Sequence, residues 1–130
     1  MEKSYLARIF AKDIKGLQMV SACCFDAKVK VGDIKFLKKN KIFLISLQRF
    51  NKEKEGSKEK INSICKFEFI DKVKSKHIDQ GNDNLVLELL TINILKKDQS
   101  FEITLLFKNN AFITLSAEII EVTLEDQNKS

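Results

Sequence analysis

The sequence has no proline and no tryptophan, one tyrosine (Tyr5), one histidine (His77), three cysteines and four glycines. A phosphate-cradling loop needs clustered glycines, so that backbone amides can approach the anion. Gly16, Gly32, Gly56 and Gly81 are far apart, which excludes one. Three cysteines cannot all pair, and a bridge between the neighbours Cys23 and Cys24 would be strained; with Cys65 they read as buried, reduced thiols. His77 and these cysteines lack the spacing of a zinc site, so no metal and no cofactor is expected. No apolar run nears the roughly 18 residues of a membrane span. The opening residues MEKSYLARIF carry Glu2 and no apolar core segment, so no signal peptide and no membrane association are expected, and the expected location is cytoplasmic.

What is abundant is lysine. The formal net charge is +5 and only Arg8 and Arg49 are arginines among 23 basic residues. Residues 1–80 hold 19 basic against 10 acidic side chains, and residues 81–130 hold 4 against 8. Such asymmetry marks a polyanion surface in some proteins. Lysine enrichment alongside many Ile and Asn codons is also what AT-rich coding produces with no ligand involved.

The most structured stretch is Asp26 to Phe50, DAKVKVGDIKFLKKNKIFLISLQRF. Val29 and Val31 alternate with Lys28 and Lys30, which puts both valines on one strand face. Gly32-Asp33 interrupts, and Ile34 and Phe36 resume on the opposite parity, a pattern that predicts a bulge or a tight bend. A turn follows at Lys38-Lys39-Asn40-Lys41, with Asn40 suited to positive φ. Ile42 to Arg49 returns as a strand apolar on both faces, hence central in its sheet.

Around this hairpin, Ser4 to Ala11 reads as a first strand. Asp13 to Phe25 reads as an N-capped amphipathic helix, with Met19 and the cysteines as core filler and Gly16 a weak point. Asn51 to Lys60 is polar and predicts a surface loop. Ile61 to Val73, Leu85 to Leu95, Phe101 to Lys108 and Ala111 to Leu124 predict strands, with a hairpin turn at Asn109-Asn110 and a bend near Ile119-Ile120. The fold class expected is α+β: mostly antiparallel sheet of about seven strands, curled into a barrel or two layers, with one helix after the first strand. A single domain spans 1–126, with 127–130 a disordered tail.

Several of these segments together resemble a bacterial family catalogued as domain of unknown function 2948. Asp26-Ala27, Lys30-Val31-Gly32-Asp33-Ile34 and Arg49-Phe50 match its signature segment, with Gln48 in place of an asparagine. Lys66 to Asp79 resembles its next strand. Leu115, Glu118, Ile120, Glu121, Leu124 and Asp126 match its closing pattern. The resemblance implies a complete domain and transfers no activity.

Two function classes remain. The first is a non-enzymatic binding or assembly module, including homo-oligomer formation. Within it, Lys28, Lys30, Lys35, Lys38, Lys39 and Lys41 form a candidate polyanion surface; nucleic acid is not favoured, because aromatics suited to stacking are few. The second is an enzyme with a dispersed pocket of Asp33, Arg49, His77 and Asp79, in which Asp79 orients the His77 ring. Solvated loop charges are the plainer reading of His77 and Asp79, and a turn residue is the plainer reading of Asp33.

Overall fold

A computed structural model describes residues 7–50 and 59–129. The elements in chain order are β1 (Arg8–Ala11), α1 (Ile14–Cys24), β2 (Lys28–Lys30), β3 (Ile34–Leu37), β4 (Ile42–Phe50), β5 (Lys60–Phe67), β6 (Ile70–Lys76), β7 (Val86–Lys96), β8 (Phe101–Phe107), β9 (Phe112–Ala117) and β10 (Val122–Lys129). This is the α+β class expected, with one helix after the first strand and an extensive antiparallel sheet.

The strands pair in the order β1-β10-β5-β4-β2-β7-β8-β9-β6, and β3 pairs with β4 beside β2. The sheet therefore curls without closing: β3 on one side and β6 on the other have no strand partner across the gap between them. The buried side chains form one cluster, drawn from both limbs of the sheet. Phe43 and Phe67 meet at its centre with ring centroids 5.9 Å apart. The helix packs on β7, β1 and β4 and buries Leu17, Val20 and Cys24, each worth about 1.5–3 kcal/mol for the aliphatic pair. Asp13 caps it through a 2.7 Å bond from Gly16 N–H. The Ser21 hydroxyl accepts Ile92 N–H at 2.9 Å, just past the register shift of β7.

Among the described residues there are ten strands where about seven were expected, because three runs that read as continuous are each broken. A 3-10 turn at Val31–Asp33 separates β2 from β3. This is the predicted interruption at Gly32, and it hands the far side of β4 from one strand to the next. Ile61 to Val73 divides at Phe69, which takes φ 60. Ala111 to Leu124 divides between Ala117 and Val122. These last two corners hold each other: Glu68 N–H donates to Glu121 O at 2.9 Å and Glu118 N–H to Phe69 O at 3.1 Å.

Smaller differences have local causes. The positive φ of the lysine turn falls on Lys41 (φ 56), not Asn40, because Lys38–Asn40 is a 3-10 turn and the left-handed residue sits at its C-cap. At the β8–β9 hairpin, Asn109 and Asn110 both take positive φ as expected. Met19 is 57% exposed and not core. Gly16 sits in a close approach: a Cβ there would lie 3.1 Å from Ala11 Cα, so the neighbour would have to give way. The predicted loop Asn51 to Lys60 lies outside the described residues up to position 58, and Lys60 already belongs to β5. β10 runs to Lys129.

Candidate functional site

Arg49 continues the inward parity of Phe43, Ile45 and Leu47 on β4, so its guanidinium enters the interior. A buried charge requires a partner. Asp126, on the inward face of β10, supplies it: Arg49 Nε and Nη2 donate to its two carboxylate oxygens at 2.9 and 2.7 Å. Both side chains are 1% exposed. Asp126 also accepts Ser63 Oγ at 2.6 Å and Ala7 N–H at 2.8 Å, and Arg49 Nη1 reaches Phe50 O at 3.2 Å. Burial pushes the Asp126 carboxyl up, but the hydrogen bonds from Arg49, Ser63 and Ala7 and the Arg49 charge outweigh it, so its pKa lies below 3.8. Arg49 is thus one half of a buried ion pair that links β4 to β10.

The other three residues of the expected pocket do not join it. Asp33 is exposed at the end of the 3-10 turn. His77 is exposed with φ 61, at the end of β6. Asp79 accepts Gly81 N–H at 3.1 Å, an Asx-type turn, and does not orient His77.

The basic residues separate into two groups. Lys28 is paired with Glu88, which also meets Lys108; hydrogen bonds from Lys108 and Lys28 hold the Glu88 carboxyl down at about 2. Lys41 bridges Glu118 at 2.9 Å and Asp71 at 3.1 Å, and the bond to Glu118 leads in raising its pKa. Lys30, Lys35, Lys38 and Lys39 make no ion pair among the described residues. Neither do Lys72, Lys74 and Lys76, three exposed lysines on alternate positions of β6. Sequence reading passed over this second stripe, although the period of two in Asp71-Lys72-Val73-Lys74-Ser75-Lys76 is the signal that identified Lys28 and Lys30.

Two grooves flank the β2–β3 junction. One, of about 620 Å³, lies on the outer face of β2, β4 and β5 and is walled by Lys28, Lys30, Asp33, Gln48, Asn62 and Gln127. The other, of about 390 Å³, is the gap between β3 and β6. Its floor is Phe43 and Ile113, and its walls include half-buried Ile34, Phe36, Val73 and Ile78. Lys35, Ser75, Gln80 and Asp83 stand at its rim. The gap is tied at both ends. Ile70 N–H donates to Lys41 O at 2.8 Å at one end; Gly32 N–H reaches Asp83 O at 3.0 Å and Val31 N–H reaches Leu85 O at 2.9 Å at the other. These ties make β3 and β6 run antiparallel along the opening. Of the four residues of the expected pocket, only Asp33 lines either groove.

Among the described residues no helix is long and apolar enough to cross a membrane, and no three His, Cys, Asp or Glu side chains are grouped to hold a metal ion. Neither a curated protein nor a solved structure matches the chain. The model of a family described as protein of unknown function (DUF2948) matches residues 7–130, and the chain belongs to that family.

Proposed function

We propose that this chain is a non-enzymatic binding module that holds an anionic partner over the seam between β3 and β6. The observation that carries the reading is charge placement. Lys35, Lys38 and Lys39 belong to one lip and its turn, and Lys72, Lys74 and Lys76 to the other; none is neutralised by an ion pair among the described residues. Lys28 and Lys41, of the same hairpin, already have carboxylate partners. Between the lips lies a concave opening with an apolar floor and a polar and charged margin, of the size that ligand sites occupy. A catalytic reading has less support: Arg49 is buried on Asp126, and Asp79 is engaged in its own turn.

The test is fluorescence anisotropy at low salt, with labelled poly-glutamate and labelled single- and double-stranded oligonucleotides. Binding should weaken steeply with salt; for a duplex each neutralised phosphate contributes about −0.9 to the log–log slope. Replacing Lys72, Lys74 and Lys76 together by Glu should abolish it with the circular dichroism spectrum unchanged, since exposed lysines contribute little to stability. Absence of binding to all three probes at high micromolar protein would sink the proposal.

A further inference from the structure

We infer that the anionic partner is an extended acidic peptide that enters the seam as an additional strand; this rests on reading the seam as the anion-receiving surface. Three features of the opening specify a peptide. First, both lips are strand edges: among the described residues β3 pairs only with β4, and β6 only with β9. Each edge presents backbone N–H and C=O groups that a strand satisfies and an acyl chain or a sugar–phosphate backbone does not.

Second, the lips have a period of two. Ile34 and Phe36 on β3 share the inward parity of their partners Ile45 and Phe43, and Val73 and Ser75 on β6 share that of Leu115 and Ile113. Lys35, Lys72, Lys74 and Lys76 take the outward parity. A strand laid between them alternates in step. Its inward side chains meet the apolar floor of Phe43 and Ile113, and its outward ones meet lysines. The matching sequence therefore alternates apolar and acidic residues.

Third, the ties at the two ends limit the open length to that of β3, four residues, or roughly 13 Å. The bound segment is accordingly short, a chain end or the tip of a loop. Because β3 and β6 run antiparallel, it lies antiparallel to one lip and parallel to the other, and both modes form hydrogen bonds. Nucleic acid fits less well: Phe36 is the one aromatic among the strand residues of the two lips, too few for successive bases to stack.

The experiment compares labelled tetrapeptides by anisotropy: one alternating valine and glutamate, one with the same residues in two blocks, and one alternating but N-methylated along its backbone. An oligonucleotide is titrated beside them. The alternating peptide should bind about tenfold or more tighter than either control. On binding, amide exchange should slow at alternate residues of β6, those whose N–H points into the seam and not to β9. The Lys72→Glu/Lys74→Glu/Lys76→Glu variant should lose the acidic peptide and gain the alternating valine–lysine peptide, a reversal that misfolding cannot produce. Equal affinity for the alternating and block peptides, or tighter binding of the oligonucleotide, overturns the strand inference and leaves anion binding standing. No binding by any probe overturns both.

Discussion

The buried Arg49–Asp126 pair offers the sharpest test of how the curled sheet is held together. Removing one partner leaves the other charge in the interior, which costs about 3–5 kcal/mol in buried pairs. Set against a total stability of about 5–15 kcal/mol, that is a large share. We expect Arg49→Met and Asp126→Leu each to lose that much. The double variant should lose less than either, because two apolar side chains replace two charges. It does not return fully to the parent, since Ser63 Oγ and Ala7 N–H lose their acceptor, at about 1 kcal/mol each. With no tryptophan and Tyr5 alone, the readout is urea unfolding followed by far-UV circular dichroism. Acidification supplies an independent sign. In the parent the Asp126 pKa lies below 3.8, so its contribution is present above that value and is lost as pH falls beneath it. In Arg49→Met burial acts on Asp126 without its counter-charge and raises its pKa, so this variant gains stability as pH drops from neutral. A loss below about 1 kcal/mol in either single variant, or a double variant as unstable as the two losses added, would refute the reasoning.

Gly32→Ala should destabilise the chain by about 1–3 kcal/mol, because the new Cβ would sit 2.9 Å from Asp83 Cβ and 3.1 Å from Asp83 O, at the tie that closes one end of the seam. Differential scanning calorimetry measures it, and an unchanged melting temperature would show that the tie yields freely. The Glu88 carboxyl should titrate at about 2 by carbon-detected NMR, held down by Lys108 and Lys28; added salt should move it upward, since the group is partly exposed. A midpoint near 4.5 at low salt would mean that the two lysines do not engage it. Cys65 should resist a thiol reagent until the protein unfolds, as burial, with Cys24 beside it, raises its pKa well above 9. Rapid native labelling of Cys65 would contradict that placement.

The parts legible in the sequence are those that depend on near neighbours. Alternation put Phe43, Ile45 and Leu47 on one face; Asn109-Asn110 announced its turn; Asp13 announced the helix start. What depended on distant residues was not legible. Arg49 continues the inward parity of β4, which could have marked it as buried, but its partner is 77 residues away in a run, Glu-Asp-Gln-Asn-Lys, whose composition reads as a solvated end. Only pairing between β10 and β5 turns Asp126 inward beside Ser63. The break at Phe69 was likewise hidden. A bulky residue is a poor choice for φ 60, and it is held there by hydrogen bonds to a corner some 50 residues on. The same holds for the seam. Its lips come from Ile34–Leu37 and Ile70–Lys76, and nothing local to either says that they face each other unpaired.

An open seam raises the question of why the lips do not zip together, since pairing would cover Ile34, Phe36 and Val73. The end ties already bring β3 and β6 alongside in antiparallel sense, the commoner pairing mode. Charge opposes the last step. Lys35 on one lip and Lys72, Lys74 and Lys76 on the other all take the outward parity, so closure would bring ammonium groups of like sign onto one surface with no carboxylate between them. Like charges across a strand pair are destabilising. Lysines along an edge also deter a second copy of the chain from adding there. A strand with outward carboxylates removes both objections at once: it separates the lysine rows and neutralises them while its apolar side chains cover the exposed interior. On the strand proposal, the lysines that oppose closure of the seam are thus also the ones that select which strand enters it.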